Sequence, residues 1–319
     1  ERGYSMIETI KKVPIPMAGV MLGFASLGNL LQSYSEGLRN ICGIISGGLL
    51  ILIILKIVMF KDMIKEDMKN PIMAGVSATF PMSIMLLAAY VKPYLGNGAL
   101  YVWYFGILLH ISIILYFTKA FILKFDLKKV FASYFIVYVG IAVSSVSAPA
   151  FEKTNIGTLA FWFAFISCML LLIVVTYRYT KYKEIPNPAK PVFCIYAAPV
   201  SLCLAGYIQS VQEKSLFIIS FLGILSLVIY LIVLVKLPKL LKLPFFPSYS
   251  AFTFPFVISG IAMKMTMGYL TKIEQPIALL KYLVLLQTII ATLLVIYTLY
   301  RYILFLIPEK KEISVSQSS

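Results

Sequence analysis

Apolar residues fall in ten runs, each near the ~20 residues a helix needs to cross a bilayer, with polar residues confined to short stretches between them. The runs cover approximately 14–32, 38–60, 71–91, 98–119, 129–149, 155–178, 188–209, 215–236, 248–270 and 276–305. All 13 acidic residues lie outside these runs or at their edges. The pattern predicts an all-α integral membrane protein. Inside the runs a helix breaker recurs. Pro16, Pro81, Pro199 and Pro255 are separated by 65, 118 and 56 residues, and the midpoint of the long gap is Gly140. Proline removes a backbone donor and crowds the preceding turn, so a membrane helix accepts it only where other groups satisfy the freed carbonyl. Five breaks at a spacing of roughly sixty residues predict five copies of a helical hairpin. Each copy holds two spans, so successive copies enter the membrane from the same side. They are parallel repeats about an axis along the membrane normal. A ring of five hairpins is a pseudo-fivefold tube around a central pore, with odd spans inside and even spans outside.

Odd and even spans differ in kind. The even ones carry Leu49-Leu-Ile-Leu-Ile-Ile-Leu, Met169-Leu-Leu-Leu-Ile-Val-Val and Leu293-Leu-Val-Ile-Tyr-Thr-Leu-Tyr, bulky and apolar on all faces, as lipid-exposed helices are. The odd ones combine the breaks with small and weakly polar residues, among them Gly19, Gly23, Ser83, Ser144, Ser201 and Ser259. Small residues allow close helix approach, and hydroxyls suit a watered lumen. Packing accounts for either feature alone; packing together with a pore lining accounts for both. The residues preceding the breaks are Ile15, Phe80, Val139, Ala198 and Phe254. This apolar ring is a candidate constriction, since hydrophobic narrowings gate pores by dewetting or occlusion. The competing reading is that its members pack between helices.

Hydrophobic residues make up 61% of the 319 and charged residues 13%, well below the ~25% usual in soluble domains. No linker divides the chain, so residues 13–306 read as one transmembrane domain between tails at 1–12 and 307–319. The first run follows Lys11-Lys12 without a small-residue cleavage site, which favours a membrane span over a signal peptide. Lys and Arg number 20 on the side holding both termini and five on the other. By the positive-inside rule both termini are cytoplasmic, in a plasma or inner membrane. The net charge of +15 is spread over short loops facing anionic lipid, a poor footprint for nucleic acid.

Candidate chemistry is sparse. Cys42, Cys168, Cys194 and Cys203 all sit in apolar runs with no CxxC or Cys/His cluster, so neither a disulfide nor a metal or cofactor site is expected. His110, the single histidine, stands on an even span and reads as packed or interfacial. Lys56 and Lys281 lie near span ends, where they can snorkel. Lys264 is different: it follows Phe254 by ten residues, about 15 Å along a pore-type helix. It either snorkels or attracts anions towards the outer mouth.

At its breaks the chain resembles the tellurite-resistance/dicarboxylate transporter family, which includes bacterial TehA and the slow anion channels of plant guard cells. The similar segments are Pro14-Ile-Pro-Met-Ala-Gly-Val-Met-Leu-Gly-Phe-Ala-Ser-Leu, Ala197-Ala-Pro-Val and Ala251-Phe-Thr-Phe-Pro. The likeness extends over nearly the whole chain in span number and spacing; Gly140 departs from it by standing where the other copies have proline. The resemblance implies that Phe254 plugs the pore, and that the protein is a homotrimer with one pore per protomer.

No Asp or Glu lies deep in a span, which argues against cation paths and carboxylate-based proton coupling. Small inorganic or organic anions are the expected cargo of an anion channel or channel-like exporter. The nearest alternative is a proton-coupled malate-like dicarboxylate carrier, or a sulfite or tellurite carrier, on the same fold; such a carrier predicts a lumenal Arg, and Arg178 and Arg301 stand at span ends. An intramembrane enzyme is the more distant alternative, and Ser259 with Lys264, five residues apart, make a poor dyad.

Overall fold

A computed structural model of the chain describes residues 2–307. The tail expected at 307–319 lies, beyond Ile307, outside the described residues, with its Lys310 and Lys311. Nine helical stretches among the described residues are long and apolar enough to cross a membrane, and a bent pair, Met6–Lys12 with Met17–Leu31, brings the number to ten. The 87° bend in that pair corrects two expectations. Residues 1–12 were expected to be a tail, but Arg2–Lys12 is a helix. The first span begins at Met17 because Pro14 and Pro16 disfavour helical geometry in the residues before them. Lys56 supplies the second correction. It does not snorkel: its residue is 3% exposed, and its Nζ donates to the carbonyl of Lys11, at the end of the N-terminal helix.

The odd spans are all broken. The third is Pro71–Ser77 followed by Thr79–Leu95. The fifth is Tyr134–Val139, a 3₁₀ turn at Gly140–Ala142, then Val143–Ser147. The seventh is a 3₁₀ helix, Asn187–Ala197, then Pro199–Ser210. The ninth is a 3₁₀ helix, Pro247–Phe252, then Phe254–Lys272. Pro199 and Pro255 thus open new α-helices, where the missing N–H would have no intrahelical partner anyway. The third span is started by Asn70, whose Oδ1 accepts from the N–H of Ile72 and Met73 at 2.9 and 3.1 Å.

The even spans run as long helices: Glu36–Met59, Gly98–Phe117 with a π turn at Thr118–Ile122, Thr154–Lys181, Leu216–Leu241 and Leu279–Leu306. Burial separates the two sets. The most apolar stretches of the third, fifth, seventh and ninth spans are 72–89% buried, against 22–33% for the even spans. Each odd span packs on the next, and the ninth packs on the first, which closes the ring. The tenth span lies against the ninth and the first, outside the seam where the ring closes.

Ring closure depends on close approach at the seam. The Thr253 hydroxyl donates to the Gly19 carbonyl at 3.0 Å. A Cβ on Gly23 would stand 2.7 Å from Thr253 Cβ, closer than two carbons can approach. Gly23→Ala is therefore expected to destabilise the protein by about 1–3 kcal/mol. Gly48→Ala, on the second span with nothing within 4 Å of the added carbon, is expected to be neutral or stabilising by up to about 1 kcal/mol. Thermal unfolding of both variants in the same detergent checks the pair.

Candidate functional site

Three cavities follow one another through the ring. The first, of about 380 Å³, opens on the face of the termini between Pro16, Phe131, Pro188 and Phe246. The second is a central chamber of only about 40 Å³. The third is a vestibule of about 350 Å³ towards the opposite face. Val76 and Ser248 line both the first cavity and the chamber. Leu202 and Phe254 line both the chamber and the vestibule, so they form the septum between them. A water needs roughly 10–15 Å³ of such volume, so the chamber holds a few waters at most while the vestibule holds many.

The breaks build the chamber wall. A 3₁₀ helix has three residues per turn, so side chains three apart eclipse. Val192 and Ile195 line the chamber at that spacing, as do Ser248 and Ala251, and Ala198 and Phe254 follow just past the two 3₁₀ helices. Val139 and Gly140 join from the fifth span, with Pro199 and Pro255. Three of the five candidate ring residues, Val139, Ala198 and Phe254, therefore share one cavity. Ile15 and Phe80 do not line it; Gly19 and Thr79 stand there from the first and third spans. Pro16 lines the first cavity, and Pro81 lines none of the three, its place in the chamber wall being taken by the flanking Thr79 and Met82.

Most buried hydroxyls serve the backbone. Ser77 donates to Ala74 O, Thr79 to Val76 O and Ser144 to Ile141 O, each at 2.6 Å. Ser259 donates to Pro255 O at 2.7 Å and to Ala197 O of the neighbouring span at 3.0 Å. The lumen reading of these serines is corrected accordingly: carbonyls around the breaks claim them. Lys264 donates to Leu30 O at 3.1 Å and to the Ser33 hydroxyl, so Ser259 and Lys264 have separate partners.

Lys264 lines the vestibule together with Arg39, Asn29, Gln32 and Gln209, and no Asp or Glu does. Arg39 was not singled out in the sequence because it lies at a span edge. Its guanidinium carbon sits 4.0 Å from the Tyr90 ring centroid, and its Nε faces Asn29 Oδ1 at 3.4 Å. Two cations stand in the lining against one carboxylate just behind it, Glu36, which accepts from Gln32 Nε2 at 3.3 Å, so the cavity carries a net positive charge. Below it, the α-helices of the seventh and ninth spans begin at Pro199 and Phe254 in the chamber wall, and a helix N-terminus carries about half a positive charge. Arg178 is buried but belongs elsewhere: it donates to Tyr182 O at 2.9 Å and Lys128 O at 3.2 Å.

His110 explains the exceptional fifth break. Its Nε2 lies 2.8 Å from Val137 O, so Nε2 carries the proton and donates. A Cβ at position 140 would stand 2.9 Å from His110 Cε1 and 2.7 Å from Met82 Sδ. The imidazole fills the space a larger residue would need and satisfies a carbonyl at the break.

A ring of broken helices around axial cavities, with a cationic vestibule, defines an all-helical integral membrane protein built for anions. The chain belongs to the SLAC1 family, voltage-dependent anion channels, whose profile matches residues 12–303. No curated protein matches the chain as a relative. Family membership makes this a membrane anion channel or transporter, in keeping with the resemblance read from its breaks.

His110→Ala removes a fully buried ring and leaves Val137 O unpaired. A loss of about 2–5 kcal/mol is expected, read as a lower melting temperature of the purified protein.

Proposed function

We propose that the protein is an anion channel, similar to TehA, whose pore is closed by Phe254. The observation that carries this reading is the septum: Phe254 and Leu202, 6% and 2% exposed, stand between the narrow chamber and the cationic vestibule. An anion reaching the chamber would meet the apolar side chains of Val139, Ala198, Ile195 and Phe254, and the hydroxyls of Thr79 and Ser248 there already donate to Val76 O and Pro188 O. Leaving water without replacement partners costs an ion many kcal/mol, so the closed pore is non-conducting although both mouths are wet. Arg39 and Lys264 concentrate anions above the septum and repel cations. Selectivity among small inorganic and organic anions then follows dehydration cost and pore width. By the family likeness we further propose a homotrimer with one pore per protomer. The excess of Lys and Arg on the termini face supports a cytoplasmic position for that face, and family membership favours transport over catalysis.

Phe254→Ala removes the plug and keeps Pro255. Anion flux into liposomes is expected to rise by about tenfold or more, equivalent to at least ~1.4 kcal/mol off the barrier, with cation flux unchanged. Phe80→Ala, outside the chamber wall, is expected to leave flux at the wild-type level. If Phe254→Ala protein folds, inserts and conducts no more anion than wild type, the gate is elsewhere.

Charge in the vestibule is tested in the opened channel. In the Phe254→Ala background, Arg39→Gln with Lys264→Gln is expected to reduce anion conductance at low ionic strength. The deficit should shrink towards 1 M salt, where the screening length falls to about 3 Å. A deficit independent of salt would point to damaged packing rather than lost attraction.

A further inference from the structure

A second basic cavity lies outside the pore. It has a volume of about 530 Å³ and is lined by Lys183, Lys190 and Lys236 together with Tyr179, Phe193 and Leu240. It sits on the termini face, where the sixth and eighth spans end at Lys181 and Leu241. No Asp or Glu is among its lining residues; Glu184 is adjacent in sequence and exposed. Lys236 Nζ stands 4.1 Å from the Phe193 ring centroid, and Lys190 Nζ donates to Asn187 Oδ1 at 2.7 Å. The three lysines thus come from three elements: the loop after the sixth span, the 3₁₀ helix of the seventh, and the eighth span. Two helix C-termini contribute about half a negative charge each, far less than the three full positive charges facing the cavity.

Apolar stripes lead from this cavity along the membrane-facing helices. On the sixth span Tyr177, Ile173 and Leu170 are 54%, 71% and 61% exposed, at the spacing that continues one face from Thr180. On the eighth, Ile232 and Val228 are each 49% exposed and continue the face of Leu240 and Lys236. Basic pockets between membrane helices at a leaflet surface suit acidic headgroups, and these stripes suit the acyl chains below one.

We propose that this cavity binds the phosphate-bearing headgroup of an acidic phospholipid in the leaflet on the termini side. The lysines hold the phosphate oxygens as charge-assisted donors; the stripes hold the tails. The site adjoins the pore wall, because Phe193 stands on the 3₁₀ helix whose Val192 and Ile195 line the chamber.

The test is native mass spectrometry of the full chain, titrated with phosphatidylglycerol and with phosphatidylcholine. Wild type is expected to bind phosphatidylglycerol in preference. The triple variant Lys183→Gln, Lys190→Gln, Lys236→Gln should lose on the order of a hundredfold in affinity, at one cation's contribution per lysine. A control triple on the same face, Lys61→Gln, Lys65→Gln, Lys124→Gln, should bind as wild type does. Lys236→Gln alone, at an exposed helix end, should lose about fivefold and serves if the triple variant does not fold. Equal binding by the variant and the control overturns the site. Displacement by inorganic phosphate at the lipid's own concentration overturns the lipid assignment in favour of a soluble anion. Neither outcome depends on whether Phe254 gates the pore.

Discussion

A membrane interior offers no water to a backbone carbonyl, so each break in a spanning helix must find a partner inside the protein. On the first, fifth and seventh spans that demand is met by side chains from neighbouring repeats. Thr253 reaches Gly19 O across the seam, Ser259 reaches Ala197 O on the seventh span, and His110 reaches Val137 O from an even span. These bonds cross between repeats, so satisfying a break also joins neighbouring hairpins. A single copy could not do this alone, which is why the repeats close into a ring.

The same breaks explain why the centre is narrow and mostly apolar. Conversion to 3₁₀ geometry in the seventh and ninth spans lines up every third side chain, which brings Val192 with Ile195, and Ser248 with Ala251, to the chamber, while Ala198 and Phe254 stand just past the two 3₁₀ helices. An α-helix would rotate by about 100° per residue and present a more mixed face. The hydroxyls that could have hydrated an ion are largely engaged with carbonyls. The polar and cationic groups gather in the vestibule instead, where Arg39 and Lys264 outnumber the one carboxylate just behind the lining, Glu36.

On the proposed reading, electrostatics and sterics divide the work in this member of the voltage-dependent anion channel family. Charge acts at the wide mouth, where water screens and no dehydration is needed. Bulk acts at the chamber, where about 40 Å³ leaves little room for a hydrated ion. The basic cavity beside the seventh span lies outside both, and its lining suits the acidic headgroup proposed for it.

Several of these features were legible in the residues. The alternation of lipid-facing and broken spans, the fivefold repeat and the position of Gly140 follow from hydropathy and proline spacing, because both are properties of single helices. Phe254 could be singled out because it directly precedes a proline in a similar motif. The direction in which each side chain points was not legible. Ile15 and Phe80 hold the same sequence position before proline, yet the first copy breaks in a turn at Pro14–Pro16 and the third span breaks at Ala78, three residues before Pro81. Such a shift turns the helix by most of a revolution and brings Gly19 and Thr79 to the chamber instead. Lys56 likewise became a buried donor only because the N-terminal helix folds back at 87° and offers Lys11 O. Local sequence determined where helices run and where they break; which faces meet was decided by packing between segments some sixty residues apart.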